Sequence, residues 1–198
     1  MKTFFLSQVF LFIIILCSCN SNYTAGKKKG FFKIEFPKKE YRKFEEPGYP
    51  YSFEYPVYAT IIKDTLYFDE KPENPWWINI EVPRLAGRIY ISYKEIGVKN
   101  KFDSLVNDAY KMAYKQHTSK ATSIERDAIV TKHNLHGIYF TLTGNTATAN
   151  QFFISDSTRH FLRGALYFDA TPNEDSLGIV NAFLKKDLEH LINTLKWK

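Results

Sequence analysis

Cysteine is scarce in this chain: the only two among 198 residues are Cys17 and Cys19. Both lie at the end of an apolar N-terminal run, which leaves the remaining chain with none. That remainder cannot form a disulfide, so its stability must come from a hydrophobic core. The length is sufficient for one domain with a sizeable core, and the 17% content of aromatic residues suits a body rich in β-structure.

Sequence motifs with established chemistry are also missing. The five histidines never occur as His-Glu-x-x-His, the nine glycines form no phosphate-binding loop, and no Gly-x-Ser-x-Gly is present. We therefore expect a protein that is not an enzyme and that carries no metal and no cofactor. Asp156, Ser157 and His160 have the composition of a catalytic triad, but such side chains in a tight connection usually bond to nearby backbone amides. We interpret them as a turn.

The first residues have the pattern of a secretory signal. A short basic start precedes an apolar run from Phe4 to Leu16, which is too short to span a membrane. The run ends in Leu16-Cys17-Ser18-Cys19, which resembles the bacterial lipobox. The resemblance implies that residues 1–18 are a signal peptide and that the thiol of Cys19 is lipidated, with palmitate as an expected acyl chain. The protein would then be lipid-anchored to a membrane of the cell envelope and face the periplasm.

Residues 19–30 are predicted to be the lipidated cysteine and a flexible tether, because they contain Ser, Asn, Lys and Gly with little apolar material. The formal charge of the chain is +6, and much of the basic excess lies in its first part. For an exported protein this excess does not indicate nucleic acid as a partner. It can contact anionic headgroups, and a solvated linker is the alternative that we favour.

Residues 31–198 have the pattern of a single α+β domain. Residues 31–51 are expected to form an extended, proline-rich arm, because proline lacks the donor that a central strand needs. Alternating apolar residues predict strands in the body at 52–62, bent at Pro56, and at 76–82, 87–93 and 126–132.

The stretch from His136 to Ala170 predicts an antiparallel meander with one face on a core. Gly144-Asn145 predicts a two-residue hairpin turn, because these residues tolerate the positive φ of tight turns. Two sets of apolar residues each share one side of a strand: Ile138, Phe140 and Leu142, and then Leu162, Leu166 and Phe168.

Two long helices are predicted, each with a start signal. Asn100 with Asp103 resembles a capping box for a helix from 100 to 117, whose apolar stripe includes Leu105, Ala109 and Ala113. Thr171 as cap, Pro172 at the first helical position and Glu174 predict the start of the last helix. Trp197 is expected to anchor the C-terminus to the body.

The order of these elements predicts an antiparallel β-sheet with long helices packed on it, since strands that are neighbours in sequence usually pair. This pattern looks like the PsbP/Mog1-like sandwich. A likeness of fold carries no activity with it.

Five residues are candidates for an interaction surface: Trp76, Trp77, Asn145, Arg159 and Arg163. Adjacent tryptophans can form a platform for a sugar or another ligand; the alternative is one core residue and one that lines a loop. The two arginines can bind an anion or pair with acids on the wet face of the sheet, and we favour the pairing.

Several short motifs in this order resemble the gliding motility lipoprotein GldD family. They are Gly30-Phe-Phe-Lys-Ile-Glu-Phe-Pro37, Tyr51-Ser-Phe-Glu-Tyr-Pro56, Trp77-Ile-Asn-Ile80, Gly144-Asn-Thr-Ala147, Gln151-Phe152, Ser155-Asp156-Ser157, His160-Phe-Leu-Arg-Gly164 and Leu195-Lys-Trp-Lys198. The resemblance implies a bacterium of the Bacteroidetes type and a lipoprotein needed for surface gliding, working alongside the type IX secretion machinery. It supplies no catalytic residue.

Two functions are consistent with the sequence. The first is a membrane-anchored, non-enzymatic accessory or scaffold component of gliding motility that binds other envelope proteins. The second is a periplasmic module that binds a small ligand or a glycan through Trp76, Trp77 and nearby tyrosines.

The lipid anchor can be tested by replacing Cys19. A Cys19→Ser protein should remain unlipidated and should no longer fractionate with membranes, because stable anchoring requires more than one acyl chain. Membrane fractionation and the intact mass of the purified protein measure this. An unchanged distribution of the variant, together with a wild-type mass lacking lipid, would refute the anchor.

Overall fold

The structure is a computed structural model that describes residues 33–65, 71–115 and 117–198. Cys19, the predicted signal peptide 1–18 and the tether 19–30 lie outside the described residues. Nearly all that is described belongs to one unit, Glu35–Lys198, which we call the body.

The body contains ten strands and two α-helices within the described ranges. The strands are β1 Tyr41–Phe44, β2 Tyr51–Pro56, β3 Thr60–Lys63, β4 Ile78–Val82, β5 Gly87–Glu95, β6 Ala121–Val130, β7 His136–Gly144, β8 Asn150–Ser155, β9 His160–Phe168 and β10 Lys196–Trp197. The helices are α1 Phe102–Tyr114 and α2 Glu174–Thr194, and a 3-10 turn spans Pro83–Leu85.

Seven strands form one antiparallel sheet in the order β3-β4-β5-β9-β8-β7-β6, and β1-β2-β10 form a smaller one. The predicted α+β architecture, an antiparallel sheet with long helices packed on it, is confirmed. The final strand β10 pairs with β2, and the ring of Trp197 stacks on His160 with centroids 4.9 Å apart. The C-terminus is thus fastened to the body, as the sequence indicated.

One face of the large sheet, the closed face, packs against α2 and the small sheet. Alternate residues of each strand point into this core because side chains on a strand alternate between the two faces. The core includes Tyr51, Phe53, Ile78, Ile80, Ile89, Ile91, Tyr93, Leu162, Leu166, Leu184, Leu188 and Leu191, all buried. Gly164 belongs to this face, and a Cβ there would lie 2.2 Å from Cε1 of Phe152. A side chain at 164 would therefore displace the Phe152 ring.

The other face, the outer face, carries a second core under α1. Leu105, Ala109 and Ala113 of the helix cluster with Phe140, Leu142, Phe153 and Phe161 of the sheet. Ile138, Phe140 and Leu142 share one side of β7, as predicted. The prediction that only one face of the meander packs on a core was wrong. Helices cover both faces here, so Phe140 and Leu166 belong to different cores.

Two predicted strand connections differ from the structure. The stretch 52–62 is two strands in different sheets, because the chain turns after Pro56, where the Ala59 N–H donates to the Pro56 carbonyl at 3.0 Å. Gly144-Asn145 is not a two-residue turn, since β8 begins only at Asn150. Gly144 does have the positive φ, +97°, but threonine hydroxyls that bond to backbone carbonyls in the loop extend the connection.

Neither residue predicted as a helix cap holds the cap position in the structure. Asn100 does not cap α1; Lys101 holds that position with no side-chain bond, and the Asn100 amide donates instead to Glu73 at 2.7 Å. Helix α2 begins at Glu174 rather than at Pro172, and Asn173 caps it by accepting the Ser176 N–H at 2.9 Å. Asparagine is as good a cap as threonine, so the residue types alone did not show where α2 starts.

The N-terminal arm lies on the body through a strand and a buried charge. Within the predicted arm 31–51, residues 41–44 form β1 and pair with β2. Next to this strand, the ammonium of Lys39 lies 2.6 Å from the carboxylate of Asp187 on α2. The Asp187 side chain is only 1% exposed. The hydroxyls of Tyr41 and Tyr58 also donate to that carboxylate. We call these four residues the arm latch.

The arm latch neutralises a carboxylate that the core would otherwise exclude, since a buried charge without partners is strongly unfavourable. Burial lowers the pKa of Lys39, and Asp187 opposes that shift. The pKa values of Tyr41 and Tyr58 are raised by burial and by the adjacent carboxylate. Both tyrosines therefore remain protonated donors at neutral pH.

Replacing Asp187 tests the arm latch. Asp187→Ala should lower the free energy of unfolding by about 3–5 kcal/mol. It removes the buried acceptor that the half-buried Lys39 ammonium and the hydroxyls of Tyr41 and Tyr58 share. The matched control is Asp108→Ala, which removes the exposed Asp108–Lys111 pair and should cost about 0.2–1 kcal/mol or less. Urea unfolding measures both, and equal losses would contradict the structural role of the latch.

Candidate functional site

The predicted tryptophan platform lies just before β4. Trp77 is buried, and its indole N–H donates to the Tyr93 carbonyl at 2.7 Å. Trp76 is half-buried, and its N–H donates to the Gly48 carbonyl at 2.8 Å. Both indole donors are thus engaged within the body. A ligand role for this pair stays a prediction.

The other candidate residues are dispersed among loops and strands. The Asn145 side chain accepts the backbone N–H of Glu174 at 2.9 Å, next to the start of α2. The exposed Arg159 lies 3.6 Å from Glu95, and Arg163 donates to the Gln151 side chain at 2.5 Å. Of the five predicted surface residues, Arg163 lines the cleft described below. The interaction role of all five stays a prediction.

The triad-like residues have the geometry of a turn. One oxygen of Asp156 accepts the backbone N–H groups of Thr158, Arg159 and His160 at 2.9–3.0 Å. Ser157 is exposed and has a φ of +64°. The Nδ1 of His160 is 2.7 Å from the Tyr93 hydroxyl. The acid thus bonds to the backbone and the imidazole to a tyrosine, as expected for turn chemistry.

A cleft of about 740 Å³ lies on the part of the outer face formed by β4, β5 and β9. Its position follows from the strand register: Asn79 is opposite Tyr90, Glu81 is opposite Arg88, and Arg88 is opposite Tyr167. These residues alternate with the buried isoleucines of β4 and β5, so they all point to the outer face. The core under α1 lies over β7, β8 and the first residues of β9, where Phe161 belongs to it. The part of the outer face over β4, β5 and the end of β9 is left accessible.

Two tyrosines and an ion pair define the centre of the cleft. The rings of Tyr90 and Tyr167 meet edge to face with centroids 5.5 Å apart. Arg88 lies 2.6 Å from Glu81 and donates to the Tyr90 hydroxyl at 3.2 Å. These contacts orient the aromatic rings and the guanidinium before any ligand arrives, which reduces the entropic cost of binding.

One residue of the cleft lining has a buried polar atom without a hydrogen-bond partner. Among the described residues there are five such side-chain atoms: Asn79 Oδ1, His117 Nε2, His133 Nε2, Gln151 Nε2 and Trp197 Nε1. Burial lowers the pKa of His117, and the charge of Arg163 lowers it further, so this imidazole is neutral at pH 7. An unpaired buried polar group costs about 1–3 kcal/mol. Asn79 lines the cleft itself, and Gln151 bonds to the lining residue Arg163.

The sequence contained a signal for this site, but a weak one. Ile78-Asn-Ile-Glu-Val82 and Gly87-Arg-Ile-Tyr-Ile91 alternate, so Asn79, Glu81, Arg88 and Tyr90 share the face opposite the core. The sequence did not indicate that β9 lies beside β5, which is what adds Arg163 and Tyr167.

The described residues, 33–65, 71–115 and 117–198, include neither a cluster of metal-binding side chains nor a membrane-spanning helix. No group of three or more His, Cys, Asp or Glu side chains in these ranges is placed to hold a metal ion. Of the helices that are described, none has the length and apolar content to cross a bilayer.

Known proteins similar to this chain include a lipoprotein family and solved structures. The family model for the gliding motility lipoprotein GldD matches residues 20–197. The solution structure of cyanobacterial PsbP (CyanoP) from Synechocystis sp. PCC 6803 is similar, with a TM-score of 0.46 and 8% identity. The match covers 82% of this chain and 95% of that one. None of the curated proteins matches this chain.

The environment of His160 predicts how stability depends on pH. Burial lowers its pKa, so the unfolded chain takes up a proton near pH 6.5 while the folded chain resists it. The contribution of His160 is complete above about pH 6.5 and is lost as the pH falls towards the lower folded pKa. Melting temperatures should therefore fall between about pH 7.5 and pH 5.5. The dependence should weaken in His160→Asn, and an identical dependence in both proteins would contradict this assignment.

Proposed function

The chain belongs to the gliding motility lipoprotein GldD family, and from this we propose that it is a non-enzymatic accessory component of the gliding apparatus that binds other envelope proteins. The match over residues 20–197 carries the proposal. The partners are components of the gliding and type IX secretion machinery.

The anchor part of the proposal rests on Cys19 and residues 19–30. A lipidated Cys19 holds the body at a membrane with the body facing the periplasm, and the tether provides reach. The arm latch supports this arrangement, because it joins the segment that follows the tether to helix α2 through Lys39 and Asp187. A pull on the tether would therefore act on the core of the body rather than on a loose terminus.

The geometry of the triad-like turn supports a role without catalysis. A nucleophilic serine needs a base within hydrogen-bond reach that a third group orients. In this turn, the Asp156 carboxylate accepts backbone amides and His160 bonds to Tyr93. These residues serve the β8–β9 connection, and we assign them no chemical step.

The edge strand β6 supports protein binding. It is the last strand of the large sheet, is ten residues long, and pairs with β7 alone among the described strands. An open edge of this length can accept a strand from a partner, with backbone hydrogen bonds supplying affinity. Glu125 and Asp127 are exposed on one side of β6 and Arg126 on the other. A second copy paired antiparallel about Arg126 would bring Glu125 and Asp127 together, so the pattern favours a different protein.

Motility measurements separate binding from catalysis. Cells with Glu125→Lys and Asp127→Lys together should lose gliding, because the reversed charges oppose the partner at the β6 edge. Cells with Ser157→Ala should still glide, since the hydroxyl serves no chemical step. Gliding speed is measured at matched protein abundance and membrane fractionation.

The matched control for the charge reversal is Glu45→Lys with Glu46→Lys, at two exposed acids remote from β6 in sequence, and it should leave gliding intact. Abolished gliding in a normally abundant and anchored Ser157→Ala protein would count against a non-enzymatic role. Normal gliding of the β6 variant would count against the edge as the binding surface.

A further inference from the structure

We infer that the cleft over β4, β5 and β9 is a binding site for a short, neutral glycan segment. The inference concerns a different surface from the β6 edge and does not depend on the gliding role. It places a carbohydrate site on the outer face of the sheet, centred on Tyr90 and Tyr167, rather than at the tryptophan pair.

The dimensions of the cleft suit a small ligand. Its volume of about 740 Å³ falls within the range of roughly 300–1,000 Å³ that is usual for small-molecule sites. The floor is formed by the paired strands β4, β5 and β9. A ligand would therefore meet a preformed surface.

The two tyrosines supply the apolar contacts that a sugar needs. Both are half-buried, and their edge-to-face contact fixes the rings at an angle to each other. An aromatic ring face carries partial negative charge and attracts the polarised C–H groups of a sugar ring. Two such rings at right angles can contact two faces of a glycan segment.

The charges in the cleft favour a neutral ligand over an anion. The lining contains two acids, Glu81 and Asp169, and two bases, Arg88 and Arg163. Arg88 is already paired with Glu81, and Arg163 donates to Gln151. A phosphate or an anionic headgroup would need a net positive site, and this site has none. Paired planar groups of this kind present donors and acceptors to hydroxyls instead.

An unpaired polar atom in the cleft lining favours a ligand with hydroxyl groups. Asn79 Oδ1 is buried without a hydrogen-bond partner and can accept one from a hydroxyl. Gln151 is 1% exposed and is linked to the cleft through the hydrogen bond that it accepts from Arg163. An apolar peptide side chain in the cleft would leave Asn79 Oδ1 unpaired.

The test uses the full chain, purified from membranes in a detergent without a sugar headgroup. The probes are cellotetraose, xylotetraose, mannotetraose and chitotetraose, with tetragalacturonate and inorganic phosphate as anionic comparisons. Saturation-transfer NMR detects binding, and titration calorimetry measures affinity. At least one neutral oligosaccharide should bind, and Tyr90→Ala or Tyr167→Ala should weaken it by about tenfold or more.

Two controls keep the result specific. Lys111→Ala, at an exposed position of α1, should leave affinity unchanged, and Tyr90→Phe should keep most of it because the ring remains. If a tyrosine variant unfolds, the amide chemical shifts of the wild-type protein, measured with and without the oligosaccharide, locate the binding site instead. The shifts should change around Asn79, Tyr90 and Tyr167 and not along α1. The inference is overturned if no neutral oligosaccharide binds, if only an anionic probe binds, or if shifts map away from the cleft.

Discussion

The buried carboxylate of Asp187 is the constraint on which the arrangement of the body depends. It lies on a helix whose other inward residues are apolar, and it is tolerated because Lys39 and two tyrosines meet it. The body can bury this charge only when the N-terminal arm is in place. The arm latch thus joins the N-terminal arm to α2 through Lys39 and Tyr41.

The outer face of the large sheet is covered by a helix in one part and accessible in another. This difference determines which part of the sheet is available for binding. Helix α1 covers the aromatic residues Phe140, Phe153 and Phe161. Over β4 and β5 the outward residues are polar or, at Tyr90, aromatic. No described element packs on them as α1 packs on the other strands. The same alternation that builds the closed core therefore presents Tyr90 and Asn79 on an accessible surface.

The local sequence pattern predicted most of the helices and strands. It failed where neighbouring residues indicated different boundaries for the same element. The stripe Leu105, Ala109 and Ala113 was correct because helical periodicity is a property of the segment itself. The cap of α2 was misplaced because Thr171 and Asn173 both have capping side chains, and Asn173 caps the helix. Asn100 does not cap α1 because its amide bonds to Glu73. Pro56 was interpreted as a bend, whereas it ends one strand before a turn, because the neighbouring residues pair with different sheets.

The sequence by itself determined the class of the molecule: a family of gliding lipoproteins, an antiparallel α+β body, and the residues that alternate towards a core. These follow from motifs and periodicities that act over a few residues. Only the tertiary structure decided that Lys39 lies on Asp187, that Tyr90 and Tyr167 share a cleft, and that both faces of the meander are buried. Those contacts join segments far apart in the chain, and their partners are selected by packing and charge burial, which no local pattern records.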